Sequence, residues 1–224
     1  MTTKNYTKKV AKDFNILTRL YQFYALYVLF LPLVRTFYKF KVEWTEKFDN
    51  KKPYIFSGNH ISYFDPFLVA IGARQRIGFM AKIELFQNSN YVAKNIFRLG
   101  AFAVNREKPD ISTIKTVKEV AKAQWGLCIF PQGGIRKNKK IEHINKGFAV
   151  MAKMMKYDIV PMGITGCEKY NWNIFKKPIL SVKVGTPISW ELDEDEIIRQ
   201  WKEQVINLTN YELVQEEPKE EVNV

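Results

Sequence analysis

The sequence predicts an α/β protein: a central, mostly buried sheet flanked by helices, preceded by an N-terminal helical segment suited to associate with a membrane. Three observations carry this expectation. Short apolar runs alternate with longer stretches of helical spacing along the body of the chain, as where helices pack on a sheet. Most of the runs are apolar at successive residues rather than at every second one, the pattern of strands in a largely buried sheet. The chain has 224 residues, 46% of them hydrophobic and 14% aromatic, enough for one large domain with a substantial core.

From the amino terminus, residues 1–44 read as a basic, amphipathic segment, 45–213 as the globular domain and 214–224 as an acidic, disordered tail. In the first of these, "LYQFYALYVLFLPLV" (20–34) lies between Arg19 and Arg35, with Lys4, Lys8, Lys9 and Lys12 before it and Lys39 and Lys41 after. As a helix it would rise about 22 Å against a hydrocarbon core of about 30 Å, short for a span, and Pro32 should kink it near its end. Tyr21, Phe23, Tyr24, Tyr27 and Phe30 favour the zone where hydrocarbon meets headgroups, so a helix lying in one leaflet is expected. Burial against the domain and a full span are the alternatives.

In the domain, residues 54–57, 78–81, 101–104, 127–130, 159–164 and 180–184 read as strands. Asp65 is placed to cap, and Pro66 to open, the helix "DPFLVAIGA". A second helix follows a cap at Asp110, with Ile111, Ile114, Val117 and Val120 repeating along it; a third follows Asn145. The last begins near Asp193 and carries Ile197, Ile198, Trp201, Val205 and Leu208 on one side. His60 and Asp65 then follow the first strand, Lys82 the second, Arg106 the third and Gln132 to Arg136 the fourth. Open α/β sheets bind their ligands there, beyond the carboxyl ends of strands.

The net charge of +12 is unevenly distributed: residues 191–224 carry about −8 and the rest about +20. Such a body attracts anions, whether nucleic acid, an anionic bilayer or an acidic substrate carrier. No recognised nucleic-acid motif accompanies the charge. Cys128 and Cys167 have no metal-ligand spacing and read as reduced, buried thiols, so no metal is expected.

His60 and Asp65 are five apart in "SGNHISYFDP", which in a regular helix would turn them about 140° away from each other. A turn that brings them together would make a general base with an orienting carboxylate; the alternative is a turn histidine beside a helix cap. Downstream, "FPQGGIRKNKK" leaves a strand with two glycines and then adds Arg136, Lys137, Lys139 and Lys140, a phosphate site or a solvated basic turn. It lacks the spacing of a Walker loop.

Together these stretches resemble the PlsC-like glycerolipid acyltransferases, the lysophosphatidic acid acyltransferase family. "NHISYFD" is similar to the family's NHxxxxD motif, "LGAFAVNR" to its second block, "FPQGGIR" to its FPEGTR block and "IVPMGI" to its fourth, in the family's order across residues 57–164. The resemblance implies a glycerol-3-phosphate acyltransferase-like fold at the cytoplasmic face of an anionic membrane. It also implies acyl transfer to the free hydroxyl of lysophosphatidic acid, with His60 as base and Asp65 as its orienter. The donor would be a thioester on acyl carrier protein or coenzyme A, with no cofactor besides and no nucleic acid. Lys82, Arg106 and Arg136 become candidate phosphate ligands, Gln132 a candidate substrate contact, and the Gly133 and Gly134 amides candidates for phosphate or oxyanion. Gln132 stands where the family usually has glutamate and Gly134 where it has threonine, which leaves another lysolipid or a non-glycerol lipid open as acceptor. An esterase using Ser57 or Ser62 and a non-catalytic basic module are the competing classes. Replacing Asp65 with Ala is expected to leave folding nearly intact.

Overall fold

The computed structural model describes residues 6, 8–87, 89–104 and 111–214. Seven strands form one sheet. In chain order they are β1 (Lys39–Trp44), β2 (Ile55–Gly58), β3 (Ile77–Lys82), β4 (Ala101–Val104), β5 (Gly126–Ile129), β7 (Ile159–Thr165) and β8 (Ile179–Val184). Two short strands, β6 (Lys140–Ile141) and β9 (Glu212–Leu213), pair separately. The order across the sheet is β1-β8-β7-β2-β5-β3-β4. The five strands from β7 to β4 are mutually parallel; β8 pairs antiparallel with β7, and β1 runs parallel to β8.

Strands β2, β4 and β5 are buried at every residue, so the sheet is covered on both faces as their unbroken apolar runs require. Helix α3 (Asp65–Ala73) lies on one face, where Gly72 meets Met162, Val182 and Val184. Helix α7 (Glu194–Thr209) lies on the other, where Gly163 meets Leu208 and the buried Trp201 indole donates to Ser57 O at 3.0 Å. Asp193 caps α7 by accepting from Asp195 N, and Glu194, Asp195 and Glu196 fill its first turn, the charge its dipole favours. Helix α5 (Ile111–Lys122) packs with α6 (Gly147–Met155). α5 buries Thr113, Thr116, Val117 and Val120 and leaves Ile111 and Ile114 exposed, contrary to the expected stripe. A spacing of three falls about 60° short of a full turn at each step, so the four aliphatic residues wind around the helix instead of sharing a face. Asp110 and the tail from residue 215 lie outside the described residues.

The N-terminal apolar run is one helical rod, Ile16–Phe37, long and apolar enough to cross a membrane. It consists of α1 (Ile16–Phe23), a π-helical stretch Tyr24–Phe30, and α2 (Leu31–Phe37). Pro32 does not break it; Leu31 N–H reaches back five residues to Leu26 O in the wider winding just before the proline. The buried side chains are Thr18, Gln22, Leu26, Phe30 and Val34, every fourth residue. In a pure α-helix this series would drift by about 40° per step, and the wider π turn keeps it on the domain. Gln22 Nε2 donates to Ile77 O at 2.8 Å and to Leu99 O at 2.9 Å, while its Oε1 accepts from Ile77 N at 3.2 Å. The opposite face, with Leu17, Leu20, Phe23, Val28, Leu29 and Leu33, is exposed.

Residues 39–44, at the end of the segment expected to associate with a membrane, form β1. Its "KFKVEW" pairs along its whole length with β8, so the basic residues Lys39 and Lys41, expected as a flank of the apolar run, belong to an edge strand. Trp44 pins that strand by donating its indole N–H to Gly72 O at 3.0 Å.

Candidate active site

β2 delivers Asn59 and His60 to the centre of the sheet's carboxyl edge. Asn59 is fully buried and imitates a backbone pair, donating to Ile164 O at 2.8 Å and accepting from Ile164 N at 2.7 Å. It thereby prolongs the β2–β7 ladder past the end of β2 and fixes where the next residue points. Asp65 opens α3 but does not cap it: the N-cap position is Phe64, and the carboxylate turns back into the preceding loop. Its Oδ2 accepts from Ile61 N at 2.6 Å and Ser62 N at 2.8 Å and lies 2.7 Å from His60 Nδ1; its Oδ1 accepts from Ser62 Oγ at 2.9 Å.

The carboxylate is thus a fully buried acceptor held by three donors besides the imidazole. It fixes the tautomer with the proton on Nδ1, and this leaves Nε2 as the basic nitrogen of a ring that lines a cavity. Phe130, at the end of β5, stacks on the imidazole with centroids 4.2 Å apart and planes at 16°. Behind the carboxylate, Cys167 Sγ lies 3.2 Å from Ser62 Oγ and 3.7 Å from Asp65 Oδ1. Burial holds the Cys167 thiol far above its ordinary value, so it stays neutral. Ser62 is therefore a support for Asp65, buried and engaged on both sides, and Ser57 Oγ is enclosed with no hydrogen-bond partner among the described residues. Neither has the exposed hydroxyl a serine esterase needs.

The cavity has a volume of about 510 Å³ and is mainly apolar, with Phe79, Met80, Leu85, Ile96 and Leu99 along its walls. His60, Lys82, Glu84 and Gly134 border it. The basic loop folds over the histidine: Arg136 N donates to His60 O at 2.6 Å, and its guanidinium is exposed. Gln132 is buried, and both ends of its amide are engaged, Oε1 accepting from His60 N and Nε2 donating to Lys140 O, each at 3.2 Å. It braces the loop instead of facing the cavity. The neutral amide suits this position because one of its two partners is a carbonyl, which needs a donor.

Gly133 has φ +70°, the left-handed region glycine adopts without strain, and its N–H donates to Phe130 O at 3.1 Å. That N–H closes the turn, so of the two glycines expected to meet an anion only Gly134 borders the cavity. Arg106 lies outside the described residues.

The histidine and its buried carboxylate thus lie together at the rim of an apolar cavity. The family model described as Acyltransferase matches residues 39–165, the whole run from β1 to β7 with His60 and Asp65 inside it. The chain belongs to the acyltransferase family. It is 32% identical over 147 residues to a 1-acyl-sn-glycerol-3-phosphate acyltransferase of Streptococcus pneumoniae, 64% of this chain and 53% of that protein. It is 29% identical over 136 residues to a protein of the same name from Bacillus subtilis, 60% of this chain and 66% of that one. The chain spans between half and two thirds of the length of these curated relatives. Its fold is shared with the crystal structure of the 1-acyl-sn-glycerophosphate (LPA) acyltransferase PlsC from Thermotoga maritima, at TM-score 0.62 and 17% identity, over 89% of this chain and 98% of that one.

Sequence reasoning located His60 and Asp65 but not the groups that hold them. Asn59, Ser62, Phe130 and Cys167 come together from β2, the turn before α3, β5 and the end of β7. Ser62 carried a signal, a hydroxyl three residues before the aspartate. Cys167 carried none, since it is about a hundred residues away in sequence from the carboxylate it backs.

Proposed function

We propose that this protein transfers a fatty acyl chain from a thioester to the free hydroxyl of lysophosphatidic acid, giving phosphatidic acid. The observation that carries the reading is the His60–Asp65 pair, 2.7 Å apart, at the rim of an apolar cavity. His60 Nε2 takes the hydroxyl proton as the oxygen attacks the thioester carbonyl carbon. The tetrahedral adduct collapses by breaking the C–S bond, and the imidazolium returns the proton to the departing thiolate. Asp65 keeps the ring oriented and stabilises its positive charge. The acyl chain occupies the apolar cavity. Lys82 at its rim, with Arg136 and Arg106, holds the acceptor phosphate, so that positioning supplies part of the rate.

The same reading places the protein on a membrane. One face of Ile16–Phe37 is fastened to the domain through Gln22 and the other is apolar and exposed. A helix fastened along its length to a polar domain cannot stand upright in a bilayer without drawing that domain in, so it lies in the interface. A body of about +20 fits the anionic cytoplasmic leaflet. There the acyl donor is a thioester of acyl carrier protein or coenzyme A.

The test is transfer of a labelled acyl chain from each donor to lysophosphatidic acid by wild type and His60→Ala. Loss of a general base should lower turnover roughly 10²–10⁴-fold. Full transfer by the variant would refute the mechanism, and transfer only to another lysolipid would refute the acceptor.

A further inference from the structure

Phe175 is 90% exposed, Trp172 62% and Ile174 47%, yet the loop between β7 and β8 that carries them is closely tied. Asn171 Nδ2 donates to Phe37 O at 2.7 Å and to Lys176 O at 2.8 Å, and Asn171 N donates to Tyr38 Oη at 2.6 Å. Asn173 Oδ1 accepts from Phe175 N at 2.9 Å. These bonds satisfy the backbone locally and leave three large apolar side chains in water, which is unfavourable unless something apolar covers them. The loop also carries Lys169, Lys176 and Lys177, and no acidic residue occurs between Glu168 and Glu191.

We propose that residues 170–177 are a second membrane anchor, which seats Trp172, Ile174 and Phe175 among the headgroups and upper acyl chains of an anionic bilayer while the lysines meet lipid phosphates. The inference rests on the reading that the outer face of Ile16–Phe37 lies on a bilayer. Two observations choose that occupant. The Trp172 ring packs edge-on against Phe37 at 5.2 Å, so the loop continues the apolar face of the helix at its carboxyl end. An aromatic tip among lysines also matches the composition of a headgroup zone, anionic outside and apolar beneath.

The anchor adjoins the catalytic turn. Tyr170 Oη accepts from Tyr63 N at 3.3 Å, and its ring lies 4.9 Å from Phe64, both residues being in the turn between His60 and Asp65. Seating the loop would therefore bring the cavity rim to the surface from which a lipid acceptor must come.

Cys128 and Cys167 are buried, so a single surface cysteine can be labelled selectively. Phe175→Cys carries an environment-sensitive fluorophore, and Asn207→Cys on the exposed side of α7 carries the same dye as control. With vesicles of phosphatidylglycerol and phosphatidylcholine, the label at 175 should brighten, shift to the blue and be quenched by brominated lipid, while that at 207 stays as in buffer. A Trp172→Ser/Phe175→Ser variant, checked for folding by circular dichroism, should bind these vesicles roughly tenfold more weakly. It should acylate a water-soluble short-chain acceptor at the wild-type rate. A protein that sediments with vesicles while its 175 label stays in water overturns this inference alone. Brightening with protein concentration in the absence of vesicles would mean that a second copy covers the loop, and also overturns it. Failure to sediment at all removes the membrane reading together with it.

Discussion

The turn from His60 to Asp65 and the loop from Tyr170 to Lys177 are neighbours that partition their side chains in opposite ways. The first buries a histidine, a carboxylate and a hydroxyl, and pairs each of them within the protein. The second exposes a tryptophan and a phenylalanine to water. Each departs from the ordinary arrangement of polar outside and apolar inside, and each is fixed by short side-chain to backbone hydrogen bonds. The difference is completeness. The turn is held by bonds to the protein itself, whereas the loop, like the outer face of Ile16–Phe37, leaves large apolar side chains exposed.

Breaking the completeness of the turn should have the largest effect. Asp65→Ala would leave the Ile61 and Ser62 N–H groups and the Ser62 hydroxyl buried without their acceptor, so near-neutral folding is not expected; a loss of about 3–5 kcal/mol in denaturant titration would accompany the loss of activity. Asp65→Asn is the sharper probe, since it keeps the shape but presents a donor where acceptors are required. Its turnover should fall roughly 10²–10⁴-fold, and a rate near wild type would show that the carboxylate does not orient the base. Gln132→Glu tests the brace: a carboxylate facing Lys140 O loses one hydrogen bond and gains a repulsion, for a cost of about 1–3 kcal/mol, and an unchanged urea midpoint would show that the loop re-pairs freely.

Lys9 sharpens the comparison from the other side, as a cation buried with incomplete compensation. Its ammonium donates to Phe97 O and lies 3.9 Å from the centre of the Phe97 ring. Burial nevertheless lowers its pKa to about 8 from an ordinary 10.5. The unfolded chain then binds the proton more tightly between those values, so folding strengthens as pH rises from about 8 towards 10.5 and is insensitive to this group below 8. Lys9→Met should lack that rise, and parallel urea titrations of both proteins over the range would detect it. The smallest effect belongs to Ser57→Ala, which removes a buried hydroxyl without a partner and should be neutral or stabilising by up to about 1 kcal/mol; a marked loss in melting temperature would mean that the hydroxyl has a partner.

The sequence made the sheet legible because five of its strands are largely apolar runs between turn residues and a sixth, β8, alternates, and their observed limits fall within about two residues of the expected ones. It hid β1, whose alternating "KFKVEW" reads as a basic flank until β8 pairs with it, and α4 (Asn90–Arg98), whose polar face obscures its pattern. At the site, spacing and resemblance placed His60 and Asp65 together. They could not show that the Asp65 carboxylate faces backward, that the Gly133 N–H closes a turn, or that Gln132 serves as a brace. Those are questions of which partner a polar group finds once distant segments meet, and local sequence does not answer them.

The π-helical stretch Tyr24–Phe30 sets a tolerance on the chain's length. The rod has one face matched to the domain and one matched to its surroundings, and only the winding between them keeps both in phase. Adding a single residue to that stretch, whose winding is already widened, would turn everything before it by about 100° relative to everything after. Gln22 would leave its carbonyls, and an aliphatic or aromatic neighbour would take its place. Substitutions on the outer face can be frequent and mild, but insertions within these seven residues should be almost absent from functional descendants of this chain.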